Sequence, residues 1–232
     1  MEAKRDELTG RWTLSGVEPS EVTFERMCKM LREGENFKFA RVGDGEANCM
    51  LGKVGHNCDG HEYFPDLGTA LNNAFYSDPE YMVGIQPLMV QQGTWERLKG
   101  REGYPKNIYD ADVLHSAGID GKLEQFIKSM QLRQIILVGP NHLKNIFPLF
   151  RFIEIPDKNC WNAYDLIHGA LWNELWEEYD AVVLLCASMM SEVLIDDFKD
   201  SPNTFIDCGS VFDPLAGKFS RKYHHKLKHA NL

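Results

Sequence analysis

The chain has 232 residues and a formal net charge of −9, with 44% hydrophobic and 11% aromatic residues. That length supports one generous domain or two small ones around a sizeable core, and the apolar content excludes wholesale disorder. No apolar run approaches the roughly 18 residues of a membrane span, and the opening Met1-Glu2-Ala3-Lys4-Arg5-Asp6-Glu7 is too charged for a signal peptide, so a cytoplasmic protein is expected.

Residues 1–19 read as an N-terminal extension. Ser20 followed by Glu21 to Arg32 has helical spacing, with Val22, Met27, Met30 and Leu31 on the apolar side and Gly34 past its end. Phe37 to Arg41 alternates as a strand, then turns at Gly43 and Gly45 into a short helix reaching about Leu51. A Cys/His/Gly-rich loop, Gly52 to Tyr63, precedes a helix from Pro65 to Tyr76 and a strand from Tyr81 to Pro87. Trp95 to Leu98 suits a short helix, Asn107 to Leu114 a strand carrying Asp110 and Asp112 on one face, and Gly121 to Met130 a helix. The alternation then becomes regular: strands at Gln134–Val138, Phe152–Ile155, Ala181–Ala187 and Thr204–Asp207, with helices at Asn162–Tyr179 and Ser191–Lys199.

Apolar strands separated by helices imply an α/β fold, a mainly parallel sheet flanked by helices on both faces. One domain over residues 20–214 is expected, followed by a tail over 215–232. Ligands in such sheets bind beyond the carboxyl ends of the strands. Arg41 to Glu46, Gly139 to Asn141, Ala187 to Met190 and Asp207 to Asp213 all follow strands and can converge on one mouth.

The richest of these is Arg41-Val42-Gly43-Asp44-Gly45-Glu46. Asp44 and Glu46, two apart across a glycine, can reach one hard cation such as Mn²⁺ or Mg²⁺, leaving Arg41 for a phosphate. The same residues also suit a turn in which Asp44 caps the next helix and Glu46 supports it. There is no Gly-x-Gly-x-x-Gly after the first motif strand, no Gly-x-x-x-x-Gly-Lys-Ser/Thr and no Gly-x-Ser-x-Gly. Dinucleotide oxidoreductases, P-loop nucleotidases and α/β-hydrolases are correspondingly disfavoured.

The run Phe39 to Glu46 resembles the Arg-x-Gly-Asp-Gly-Glu signature of the GT-D glycosyltransferases, a Rossmann-like family. The resemblance continues through Ile135-Ile136-Leu137-Val138-Gly139-Pro140, Ile155-Pro156 with Asn159 and Tyr164, Val183-Leu184-Leu185 and Ile206-Asp207-Cys208-Gly209. It implies transfer of a sugar from a nucleotide-diphosphate donor of the UDP-glucose class, with Asp44 and Glu46 as the metal motif, Glu46 the firmer ligand. Arg41, Gly43 and Gly45 would lie beside the donor diphosphate, and Gly139, Asn141, Asn159 and Tyr164 near nucleotide or sugar. Asp213 is the first candidate for general base, with Asp110 or Asp112 second, and His61 and Glu62 are candidates for the acceptor side. The sequence departs from the family in running Gly209-Ser210-Val211-Phe212-Asp213 where a histidine follows the glycine in many members.

Two acceptor classes remain open: a glycan or glycoconjugate, and a hydroxymethylated DNA base of the phage type. The second draws on the tail, where Lys218, Arg221, Lys222, Lys226 and Lys228 alternate with Tyr223, His224, His225 and His229. A non-catalytic nucleotide-sugar-binding module and a metal-dependent phosphoesterase are the competing functions. The six cysteines read as reduced thiols, and Cys49, His56, Cys58 and His61 supply zinc-competent groups at a spacing unlike that of zinc fingers.

Overall fold

The computed structural model describes residues 1–5, 7, 10–147 and 150–226. Two short strands, β1 (Glu2–Arg5) and β2 (Trp12–Ser15), pair antiparallel within the stretch read as an extension. Only Leu14 of this hairpin is buried, and it reaches the main core beside Val42 and Ile85.

Helix α1 (Ser20–Glu33) follows Pro19 and ends at Gly34, whose left-handed backbone (φ 73°) closes the last turn. Phe24, Met27, Cys28 and Leu31 form its buried stripe, whereas Val22 faces solvent at 51% exposure. Then come β3 (Lys38–Val42), α2 (Asp44–Met50), α3 (Pro65–Phe75), β4 (Met82–Ile85), α4 (Pro87–Gln91) and α5 (Trp95–Leu98). Pro87 opens a helix instead of closing the strand, because its missing N–H costs nothing in a first turn. β5 (Ile108–Asp110) is shorter than its sequence suggests. Asp110 Oδ1 accepts the Asp112 N–H at 2.9 Å, a local turn that ends the strand and starts α6 (Val113–Ile119).

The remaining elements are α7 (Leu123–Ser129), β6 (Ile135–Pro140), β7 (Arg151–Ile155), α8 (Tyr164–Leu175), β8 (Val182–Leu185), α9 (Met190–Asp197) and β9 (Thr204–Asp207). β3 to β9 form one seven-stranded sheet in the order β5-β4-β3-β9-β8-β6-β7, every neighbouring pair parallel. Successive strand residues serve opposite faces. Phe39, Leu137, Leu184 and Ile206 pack with α1, α6 and α7, while Ala40, Ile136, Val138, Val183, Leu185 and Phe205 pack with α8 and α9. The expected α/β class is therefore the observed one, with helices on both faces.

The chain leaves β3 toward one sheet edge and β6 toward the other, and β9 and β8 fill the gap between them. That reversal opens a crevice above the carboxyl ends of the central strands. Among the described residues no helix is long and apolar enough to cross a membrane.

Candidate functional site

A cleft of about 750 Å³ occupies that crevice. Its walls include Arg41, Gly43, Asp44, Gly45 and Glu46 after β3, Pro140 and His142 after β6, Ser188 and Glu192 after β8, and Asp207, Gly209, Ser210 and Asp213 at the end of β9. The four strand ends singled out from the sequence do meet at one mouth.

Gly43 is the N-cap of α2, and its N–H donates to Glu46 Oε2 at 2.8 Å, half of a capping box. A Cβ at Gly43 would stand 3.1 Å from Glu46 Oε2 and 3.2 Å from Gln86 Oε1, so any larger residue would have to push those side chains back by a few tenths of an ångström. Gly45 lets α2 lie close to Asn57. Asp44 is not the cap. It is the first helical residue, exposed at the cleft, its N–H donating to Gln86 Oε1 at 3.3 Å. The helix-capping reading thus holds for Glu46, while both carboxylates still border the cleft.

Beneath the turn lies a group of acids that share Arg41. Its Nε donates to the Ala111 carbonyl at 2.7 Å, and its terminal nitrogens stand 3.8 Å from Asp207 and 3.9 Å from Asp112. Burial works against the charge of Arg41, but Asp207 and then Asp112 outweigh it and hold the guanidinium protonated. Burial, with added repulsion from Asp207, pushes Glu46 up to about 7. Glu192, 5% exposed, is driven well above the carboxylate range by burial and by Glu46 and Asp207, which favours its protonated form. Its Oε2 has no hydrogen-bond partner. Asp207 is raised by burial, against the pull of Arg41 and the Gly209 N–H at 2.8 Å.

Of the three candidate bases, Asp213 and Asp112 border the cleft and Asp110 does not. Asp213, 7% exposed, accepts from His142 Nε2 and from the Ser220 hydroxyl, both at 2.9 Å. Asp112 is turned toward Arg41 and His115, whose Nδ1 lies 3.2 Å away. Burial opposes its ionisation, yet that hydrogen bond and the neighbouring charges keep it below the usual range. Burial and then Arg41 press His115 down to about 4, which leaves it neutral. Asp110 sits at the foot of α6, where burial and Asp112 raise it to about 6.

Four residues implied by the resemblance lie outside the lining. Gly139 packs against Leu143, the exposed Asn141 starts a 3₁₀ turn, Asn159 accepts the Glu62 N–H at 2.9 Å, and Tyr164, half-buried, bonds Asp197 of α9. His61 reaches the cleft, but Glu62 does not. The zinc-competent side chains take separate partners: Cys49 bonds the Phe64 carbonyl, His56 the Asn57 carbonyl and His61 faces Cys160, while Cys58 is an exposed free thiol. Among the described residues no three His, Cys, Asp or Glu side chains are grouped to hold a metal.

The sequence did not single out Glu192, His115, His142, Asn57 or Ser188. Asn57 holds its loop by accepting the His61 N–H at 3.0 Å and donating to Ser188 Oγ at 2.9 Å. Nor did it anticipate the tail's position. Residues 218–226 fold back across the mouth, with Tyr223 stacked on His115 at 4.3 Å, its hydroxyl 2.9 Å from Ser210, and Arg221 3.1 Å from Asp59. Lys228 and His229 lie outside the described residues.

Several solved structures share this fold. One described as a new glycosyltransferase (DUF1792) from Streptococcus sanguinis aligns with a TM-score of 0.63 at 16% identity, over 86% of this chain and 85% of that one. Another, described as the domain of unknown function 1792 with a distinct glycosyltransferase fold, gives 0.60 at 15% identity over 90% of both chains. A selenomethionine-substituted DUF1792 domain gives 0.62 at 14%, again over 90% of both. At such identities the likeness is one of fold. No protein-family model and no curated protein matches the chain.

Proposed function

We propose that this protein is a metal-dependent glycosyltransferase that moves a sugar from a nucleotide-diphosphate donor of the UDP-glucose class to an acceptor hydroxyl. The observation that carries this reading is the Gly43-Asp44-Gly45-Glu46 turn opening onto a 750 Å³ cleft at the strand-order reversal, in a fold shared with structures described as glycosyltransferases. A cleft of that size is in the range of small-ligand sites.

Asp44 and Glu46 would supply the protein ligands for Mn²⁺ or Mg²⁺. The donor set suits a hard cation: Asp44 and Glu46 both border the cleft, and a buried oxygen of Glu192, which also lines it, is unsatisfied. When bound, such an ion neutralises charge on the departing diphosphate. The other roles belong to the chain itself. The Gly43 N–H orients Glu46. Asp112 and Asp207 fix Arg41 at the cleft floor. Asp213, held by His142, is placed to take the acceptor's proton, provided that hydroxyl comes within about 3 Å, directly or through one water. The acceptor is a hydroxyl of a glycan or of a hydroxymethylated DNA base.

Incubation with Mn²⁺ and a panel of nucleotide sugars, each with glycan and hydroxymethylated-DNA acceptors, tests the proposal by following free nucleotide and glycosylated product. Donor-dependent nucleotide release that is lost in Glu46→Ala supports it. Binding of UDP without release identifies a binding module, and release of inorganic phosphate alone identifies a phosphoesterase.

A further inference from the structure

Four cations of the cleft lie away from the acidic strand ends around Arg41. Asp44, Glu46, Glu192 and Asp207 lie at strand ends and on the helices that follow them, whereas Lys218, Arg221 and Lys226 come from the C-terminal segment and Lys158 from the β7–α8 loop. These four cations share their part of the lining with Asp59, Asp157 and Asp213.

Arg41, the cation singled out for phosphate by the sequence, is already engaged. Its side chain is 14% exposed and held by the Ala111 carbonyl and two carboxylates. A polyphosphate entering the cleft would meet the acidic group around it before the guanidinium, so its charge has to be met elsewhere.

The C-terminal segment is built to meet it. His224 is 1% exposed and accepts the Arg221 N–H, Tyr223 is clamped between His115 and Ser210, and Ser220 bonds Asp213. These contacts present Lys218, Arg221 and Lys226 to the cleft on a fixed backbone. Arg221 is joined to Asp59 through Nη2, and the other Asp59 oxygen is buried without a partner. Lys158 lies along Gly60, its methylenes 3.6 Å from where a Cβ would stand, and so borders the same loop.

We infer that Lys158, Lys218, Arg221 and Lys226 form a polyphosphate-binding wall that takes the diphosphate of the donor. The guanidinium of Arg221 offers a planar fork to phosphate oxygens and the three lysines act as point charges. That the polyphosphate belongs to a nucleotide rests on the glycosyltransferase reading. The wall itself does not.

Calorimetric titration of inorganic pyrophosphate, and separately of UDP, into the full chain at constant Mg²⁺ tests this with three proteins: wild type, the triple variant Lys158→Ala/Lys218→Ala/Lys226→Ala, and Lys222→Ala. All four lysines are exposed, so folding is not at stake, and Lys222 is outside the cleft lining. Pyrophosphate should bind the wild type and Lys222→Ala equally, and the triple variant more weakly by about tenfold or more, an effect that shrinks as salt rises. Arg221→Lys should weaken binding while keeping the charge. Equal affinity in wild type and triple variant, an equal loss in Lys222→Ala, or no pyrophosphate binding by wild type overturns the wall. Wall-dependent pyrophosphate binding with no affinity for any nucleoside diphosphate supports the wall and defeats the glycosyltransferase reading. Undiminished UDP binding in the triple variant does the reverse.

Discussion

Gly209→Ala is the substitution on which the geometry of the cleft floor bears most heavily. Gly209 has φ +53°, and a Cβ there would stand 2.2 Å from Arg41 Nη1, 3.3 Å from its Cζ and 3.6 Å from His115 Nε2. The left-handed backbone alone costs an alanine about 1–2 kcal/mol. Relieving the contact requires the guanidinium to retreat by roughly 1 Å, and overpacking of this kind costs about 1–3 kcal/mol. Retreat also strains the 2.7 Å bond to the Ala111 carbonyl and the pairing with Asp207 and Asp112. The expected total is about 2–5 kcal/mol, or a fall in Tm of roughly 5–15 °C for a chain of this size. Gly217→Ala provides the control, because Gly217 has φ +75° with nothing within 4 Å of its Cβ position and should show only the backbone cost, about 1 kcal/mol. Thermal and urea denaturation measure both, alongside UDP affinity. If Gly209→Ala proves no less stable than Gly217→Ala and binds UDP as wild type does, the placement of Arg41 against Gly209 is wrong.

Two further outcomes follow from Asp110, behind the cleft, and Asn57, in its wall. Asp110 is raised from 3.8 to about 6, so the folded state holds its proton longer than the unfolded state and stability falls as pH rises from about 4 to 6. This group accounts for roughly 3 kcal/mol of that fall. Asp110→Asn keeps an acceptor for the Asp112 N–H, and its urea-derived stability should decline less over that window; identical slopes in the two proteins would refute the burial argument. Asn57→Ala removes the bonds to the His61 N–H and the Ser188 hydroxyl, and should cost about 1–2 kcal/mol and speed proteolysis between residues 52 and 63. Unchanged cleavage there would show that Asn57 does not hold the loop.

The sheet was legible because its strands carry their signal locally. Ile135 to Val138, Ala181 to Ala187 and Thr204 to Asp207 are apolar runs closed by glycine, serine or aspartate, and all became central strands with their ends at the cleft. The β1–β2 hairpin was not legible, since Glu2 to Arg5 offers little apolar alternation and Leu14 is the one buried residue of the two strands. Asp110 and Asp112 looked like one face of one strand. A hydrogen bond between them ends that strand and puts only Asp112 at the cleft.

The site divides in the same way. Asp44 and Glu46 could be found because two acids flank a glycine after a strand, a pattern confined to a few residues. Glu192 carried only a faint signal, an acid in the first turn of a helix that also holds Ser191, Asp196 and Asp197. The tail carried none. Its basic composition pointed to a DNA acceptor and not to a position, and its place at the mouth depends on partners far away in sequence: Asp59 for Arg221 and His115 for Tyr223. Contacts between segments more than a hundred residues apart leave no periodicity to read.

The central claim is that Asp44 and Glu46 hold a divalent ion against the donor's diphosphate, and UDP titration with and without Mn²⁺ tests it most directly. Mn²⁺ should tighten UDP binding to the wild type by about tenfold or more, some 1.4 kcal/mol, and that gain should vanish in Asp44→Asn/Glu46→Gln. Equal UDP affinity with and without Mn²⁺ in the wild type, or a full Mn²⁺-dependent gain in the double variant, would contradict it.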